Sequence, residues 1–289
     1  MTASFSSQRR ACSGGRMGAD PKKTMQAAAP RWDRWLADGI VVLIVAWWWM
    51  ASRSMPAFVL PSPFDVLEAL ARFFYVPAHM HHLASTFVRV VGSVSMATLL
   101  GLLLALLPYY VPALKGVVED RLLPVLNAIP SIGWAILAVV WFNASNTTVL
   151  IVQTAILLPF CLINAAAGLR EIDRELLEMG HSFTRARWRL LTKLVVPMLL
   201  PFLLASIAMT YGMAWKISLV SELFGSETGL GFLMLNAQES GNAAGVVATC
   251  LMVVIAYATS ERFLLRPLFR RWQQPRGART RRENLPLGA

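Results

Sequence analysis

Long apolar runs alternate with short polar ones along this chain, and the apolar runs set the elements. No Asp, Glu, Lys or Arg occurs from Leu122 to Leu169, from Val90 to Leu114, from Leu194 to Trp215 or from Ser240 to Ser260. A helix that crosses a bilayer needs about 20 mostly apolar residues. The first run is long enough for two such helices, and the polar NASNTT at Asn143–Thr148 supplies a turn between them. A shorter run, Gly39–Ser52, completes the set if Leu36–Asp38 form its cytoplasmic end. The pattern predicts an all-α membrane protein with six transmembrane helices and a polar loop between the fourth and the fifth.

Shorter elements punctuate these spans. Pro61 and Pro63 force an extended entry after the first span, and Ser62 is placed to cap a short helix whose Val66, Leu67, Leu70 and Phe74 share a face. Trp47–Trp49 suit an interfacial aromatic belt just before it. The third span, Leu122–Phe142, carries Pro124 and Pro130 with Asn127 between them. That is either a packing kink or a broken helix of the kind that lines transport pathways. Between the fifth and sixth spans, Ser221–Asn242 is half polar, which predicts a short helix dipping into the outer leaflet and returning. His79–His82 reads HMHH, yet no acid or cysteine flanks it, so a wet external loop explains it as well as a metal site does.

Composition and charge sharpen the topology. Hydrophobic residues make up 56% and charged residues 15%, too apolar for an ordinary soluble domain. The net charge of +11 invites a nucleic-acid reading, but its distribution excludes it. With the N-terminus in the cytoplasm, every Lys and Arg except Arg53, Arg72, Arg89 and Lys216 falls in a cytoplasmic segment. That is the positive-inside asymmetry of an even-spanning protein with both termini cytoplasmic. The expected organisation is a disordered tail (1–35), a first transmembrane helix (36–57), a periplasmic segment (58–82), a five-helix transmembrane domain (83–266) whose loop spans 169–193, and a basic cytoplasmic tail (267–289). Met17 and Met25 are alternative starts, and Cys12, Cys161 and Cys250 give no disulfide framework.

Catalytic motifs are missing. There is no G-x-x-x-x-G-K-[ST] phosphate loop and no Ser-His-Asp or Cys-His constellation. The acids Glu171, Asp173, Glu175 and Glu178 interleave with Arg170 and Arg174 at helical spacing, which is the mark of a solvated, salt-bridged helix. In the same loop Leu176, Met179 and Phe183 form one apolar stripe, and Arg185, Arg189 and Lys193 a basic face. Pro197 then permits a helix start. Such a helix pair can rest on anionic lipid, or it can dock its apolar ridge in a groove on a soluble partner.

The segment resembles the coupling loop of type I permeases of bacterial ABC importers. Their signature is Glu-Ala-Ala, three residues, Gly, nine residues, Ile, one residue, Leu-Pro. Here Glu178-Met179-Gly180, Thr184, Leu194 and Val196-Pro197 keep that spacing, with Thr184 in place of the central glycine. LPSPFDVLEAL, NAAAGLREIDRELLEMGHSF and AWKISLVSELFGSETGLGFLM are similar to segments of the branch that serves nitrate, sulfonate and taurine uptake. IPSIGWAILAVVWFN is similar too, although Asn143 stands where that branch usually has glycine.

The resemblance implies a transport subunit in the bacterial inner membrane that performs no catalysis itself. Two copies would line a pathway, two ATPase subunits carrying ATP and Mg would each receive one coupling helix, and a periplasmic binding protein would deliver the solute. Glu178, Met179, Gly180, Phe183, Thr184 and Pro197 would form the coupling element, with Met179 and Phe183 as its apolar anchors. No cofactor is expected on this chain. Lys216 and Arg89, near the outer ends of spans five and two, suit either an anionic solute or snorkelling to headgroups. Asn127, Trp134 and Trp215 are further pathway candidates. Glu222 lies about 240° round an ideal helix from Lys216, so spacing does not pair them. An ion-driven transporter would need acids inside the spans, and none sits well within a predicted one. The rival from another class is a membrane scaffold or receptor whose loop docks a partner other than an ATPase.

Overall fold

The computed structural model describes residues 31–172 and 191–267, together with Met179, Ser182, Arg189 and Phe269. All regular structure among these residues is helical. The chain divides at Met50/Ala51 into two units. Helix α1 (Arg31–Ser52) makes up the described part of the first, and its apolar portion, Asp38–Ser52, is shorter than the spans that follow.

In the second unit, α2 is Pro63–Tyr75, α3 Pro77–Tyr110, α4 the helical segment Pro112–Ala128, α5 Ser131–Phe142 and α6 Asn146–Arg170. Helices α7 (Val196–Gly225), α8 (Leu230–Glu239) and α9 (Ala243–Ser260) follow. Among the described residues, four helices are long and apolar enough to cross a membrane, namely α3, α6, α7 with its preceding turn, and α9 with its following one. The pair α4–α5 makes a fifth if counted as one span, but it bends by 87°. The third span expected at Leu122–Phe142 is therefore a broken helix rather than a mild kink. Ile129 turns extended (ψ 118°) and Pro130 follows at ψ 150° before α5 restarts. Proline disfavours helical backbone in the residue before it, so Pro130 ends α4 at this point.

Three other prolines act differently. π-Helical turns occupy Val118–Leu122, Leu191–Val195 and Glu261–Leu265. Each ends two residues before a proline: Pro124, Pro197 and Pro267. A proline clashes with the carbonyl four residues back and cannot bond to it. That carbonyl lies inside the π turn in all three cases, where the wider register relieves both defects. Pro197 accordingly does not mark a fresh start. The helix runs through it from Thr192 to Gly225.

The fifth span also reaches ten residues past its expected end at Trp215, which brings Ser221 and Glu222 into the helix. On α2 the Ser62 cap is present: its hydroxyl accepts from Asp65 N at 3.2 Å, and Asp65 accepts from Ser62 N in return. The expected apolar face shifts, however. Val66 and Phe73 are buried, while Leu67 and Phe74 are exposed. Positions 66, 70 and 73 follow the 3.6-residue period more closely than 66, 67 and 74, and that stripe meets the bundle.

The bundle is built on α3, α6 and α7, with α3 and α6 parallel and α7 antiparallel to both. The face of α3 that packs inward carries mostly small residues: Thr86, Ser93, Ala97, Gly101 and Ala105 are all buried. Small residues let membrane helices approach closely where no hydrophobic driving force exists between them. Gly101 marks the tightest point, since a Cβ there would lie 2.7 Å from Cys161 Cβ and 2.9 Å from backbone atoms of α6. Replacing Gly101 by alanine must push α3 and α6 apart. It is expected to cost about 1–3 kcal/mol, as overpacking does, and to lower the thermal unfolding temperature of the detergent-purified protein.

The turn between α5 and α6 is also legible in chemistry. Asn143 has φ 58°, the single positive φ outside glycine among the described residues. With ψ 174° this is a conformation that glycine adopts freely and other residues adopt at a cost, and it falls at a position the resembling branch fills with glycine. Ser145 then caps α6 by accepting from Thr148 N at 3.1 Å.

Candidate functional site

At the bundle end opposite Arg170 and Leu191, charge is buried. Arg89 on α3 is 3% exposed and Glu222 on α7 is 0% exposed. Arg89 Nη1 donates to Glu222 Oε1 at 2.9 Å and to the Thr228 carbonyl at 2.8 Å, and Nη2 donates to Asn146 Oδ1 and Thr228 Oγ1. The second carboxylate oxygen, Oε2, accepts from Thr86 Oγ1 at 2.9 Å and from Gly231 N at 3.0 Å. Thr86 in turn accepts from Leu230 N at 2.8 Å, and His82 Nδ1 accepts from Gly229 N at 3.0 Å. The first amides of α8, which have no partner inside that helix, are thus satisfied by side chains of α3 and α7. Gly229 sits at φ 110°, and a Cβ on it would lie 2.4 Å from Glu222 Oε2. The carboxylate can approach this turn only because glycine is there.

One layer deeper, Ser93 Oγ donates to Gln153 Oε1 at 2.9 Å, and Gln153 Nε2 donates to Ser221 Oγ at 3.1 Å. All three side chains are buried. Two stacked polar layers therefore tie α3, α6 and α7 together and hold α8 to them. The upper layer is neutral in sum and rich in hydrogen bonds. Such an arrangement clamps helices and leaves no charge free for a solute.

The structure separates the two cations that the sequence grouped. Arg89 faces the interior and is paired with Glu222. Lys216, on α7, is exposed and forms no ion pair with a described residue. It lies roughly 13 Å along the helix axis from Gly225, inside the span. The acid expected to be missing from the spans is present in Glu222, in the last turn of α7, but Arg89 neutralises it. Trp215 is buried, with its ring centroid 6.4 Å from those of Phe87 and Tyr211, and its Nε1 has no hydrogen-bond partner. Trp134 packs on the Ala135, Ala138 and Val152 cluster, and its Nε1 is likewise buried without a partner. Asn127 is exposed and bonds back to the Leu123 carbonyl at 3.1 Å. Glu178, Gly180, Phe183 and Thr184 lie outside the described residues. Met179 is helical and 56% exposed.

Thr86, Asn146, Gln153, Glu222 and Thr228 were not singled out from the sequence as a cluster. The available signal was an arginine bordering an uncharged run and an acid followed by the Gly229 and Gly231 pair. Partners more than a hundred residues apart are invisible to helical spacing.

The sequence profile described as "Binding-protein-dependent transport system inner membrane component" matches residues 97–274, from the middle of α3 through α9. The chain belongs to this family. It is a permease subunit of an ABC importer, a transport subunit by family, and its membership implies ATPase and substrate-binding-protein partners. The taurine transport system permease protein TauC of Escherichia coli is 27% identical over 240 residues, covering 80% of this chain and 86% of the relative. The riboflavin transport system permease protein RibX of Chloroflexus aurantiacus is 30% identical over 208 residues (69% and 76%). The nitrate import permease protein NrtB of Leptolyngbya laminosa is 23% identical over 264 residues (88% and 91%). Among solved structures, the inward-facing MetNI methionine ABC transporter superposes with a TM-score of 0.57 at 20% identity, covering 69% of this chain and 96% of that one. That likeness establishes the fold.

Proposed function

We propose that this permease carries a small anionic solute of the nitrate, sulfonate or taurine type inward across the bacterial inner membrane. The observation that carries the reading is Lys216. Within α3, α6, α7 and α9 it is the one charged residue without an ion pair to a described residue, since Arg89 pairs with Glu222 and Arg170 with Glu119, and it is exposed. An uncompensated cation inside a span is costly against lipid and is well placed where it meets water and a counter-ion. The name of NrtB agrees with an anion and that of TauC with a solute bearing an anionic sulfonate group, whereas that of RibX points to a different solute class and supplies the competing outcome.

In this reading two copies of the chain form the pathway, with both termini cytoplasmic. Two ATPase subunits bind below and carry the ATP and Mg. Glu178, Met179, Gly180, Phe183 and Thr184 dock in the ATPase groove, and the helix running through Pro197 carries the displacement into α7. A periplasmic binding protein delivers solute at the opposite face. Asn127, Trp134 and Trp215 serve the pathway from α4, α5 and α7, and the indole N–H groups of the two tryptophans are buried without partners.

Replacing Lys216 by glutamate tests the anion assignment. Uptake of an anionic solute by proteoliposomes is expected to fall at least about 10-fold, the scale of one lost charge contact. Membrane insertion should be unaffected. Wild-type uptake of the anion by Lys216→Glu would remove the assignment, as would a cognate solute that proves uncharged.

A further inference from the structure

At the bundle end that bears the coupling loop, Arg170 is the last residue of α6, and the loop leaves the helix immediately after it. Its Nη2 lies 2.6 Å from Oε2 of Glu119. Glu119 sits in the π-helical turn Val118–Leu122, within α4, the loop-end half of the broken span. One ion pair thus joins the root of the coupling loop to a helix that is detached from its continuation by an 87° break. Glu119 and Arg170 are 51 positions apart, so this contact belongs to the tertiary fold and not to a helix surface.

Two further features make α4 the element able to respond. A cavity of about 260 Å³ opens beside the pair, walled by Ala105 and Pro108 of α3, Leu123 of α4, and Leu162 and Ala166 of α6. The apolar anchorage of α4 on this side is narrow, since Val118 is its one fully buried side chain. Free volume along one side, a π turn midway along α4 and a proline break at its tip give this segment room to swing about that break. The other bundle helices lack that freedom. At the far end the Arg89–Glu222 and Gln153 layers clamp α3, α6 and α7 to one another.

We propose that Glu119 and Arg170 are positioning residues for transport: the pair transmits displacement of the coupling loop to α4, which moves about the Ile129–Pro130 break to open or close the loop-end mouth of the pathway. The inference rests on residues 169–193 acting as the coupling loop. Nothing in it requires the pair to add stability. Arg170 is 65% exposed and Glu119 22%, so the ion pair is weak as a stabiliser, and its value is the place where it connects two elements.

The test uses the full importer in proteoliposomes: permease, its ATPase and its binding protein. Solute transported per ATP hydrolysed is measured for Glu119→Gln, Arg170→Gln and the charge-exchanged double variant Glu119→Arg/Arg170→Glu. Each single variant is expected to lower that ratio at least about five-fold, the low end of coupling between sites. Permease content and thermal unfolding should stay at wild-type values, and the exchanged double variant should recover at least half of the ratio. A purely structural role would lower content and leave the ratio unchanged. Wild-type ratios in both single variants, or an exchanged variant no better than the singles at equal content, would overturn the proposal. The Glu178→Ala/Phe183→Ala variant is run beside them. Loss of coupling there with normal Glu119 and Arg170 singles overturns this transmission route alone, whereas normal coupling there overturns the loop assignment and the route with it.

Discussion

Replacing Glu222 by alanine is expected to destabilise the permease by about 3–5 kcal/mol, because it leaves the Arg89 guanidinium buried without its counter-charge. Glu222 is fully buried, and its carboxylate accepts from Arg89, Thr86 and Gly231 at once. All three donors lose their acceptor together, and the first turn of α8 loses its attachment to α7. Arg89→Ala should be comparably harmful for the converse reason. The informative variant is the double replacement Arg89→Met/Glu222→Met, which removes both charges and keeps comparable volume. It should unfold at a higher temperature than either single variant, since a neutral pair carries no uncompensated charge. Thermal unfolding of the purified protein and its yield from membranes check all three. Wild-type stability in Glu222→Ala would mean that the network does not hold the outer bundle.

The second large effect is functional. Glu178→Ala combined with Phe183→Ala is expected to reduce uptake and binding-protein-stimulated ATP hydrolysis by 10-fold or more, within the range of coupling between distant sites. Insertion and thermal stability should hardly change, because neither residue is a member of the Arg89–Glu222 or Gln153 layers. In the proposed docking, Phe183 would supply apolar area for a groove and Glu178 polar orientation at its edge, so the two losses would compound. Normal coupled turnover in that variant would remove these residues from the contact with the ATPase.

Apolar run length foretold most of this fold. Runs free of charge mark helices wherever a bilayer is the solvent, and the turn that begins at Asn143 and ends at the Ser145 cap, the cap at Ser62 and the short helix after the fifth span all lie where local chemistry requires them. The extent of α7 was less legible. Lys216 and Glu222 look like signals to end a span, and only the distant Arg89 shows that the acid is neutralised inside it. The break at Pro130 was open from sequence because proline can kink a helix or end it, and the backbone of Ile129 decides which. The π turns before Pro124, Pro197 and Pro267 were hidden for a related reason: sequence reveals the missing N–H but not how the register adapts to it.

Of the candidate residues, Arg89 and Lys216 looked equivalent in sequence, both being lone cations near outer helix ends. Burial separates them, since one faces Glu222 and the other is exposed. The coupling-loop spacing, by contrast, is a local pattern and needs no tertiary information to be read. It pointed to the family that the profile over residues 97–274 establishes.

The most direct test of the account is uptake by proteoliposomes that hold this permease with its ATPase and ATP in the lumen corresponding to the cytoplasm, and the binding protein outside. The expected result is accumulation of a sulfonate or nitrate against its gradient that needs ATP, the binding protein and an intact Lys216. Uptake that follows an ion gradient without ATP, or that accepts only uncharged solutes, would contradict it.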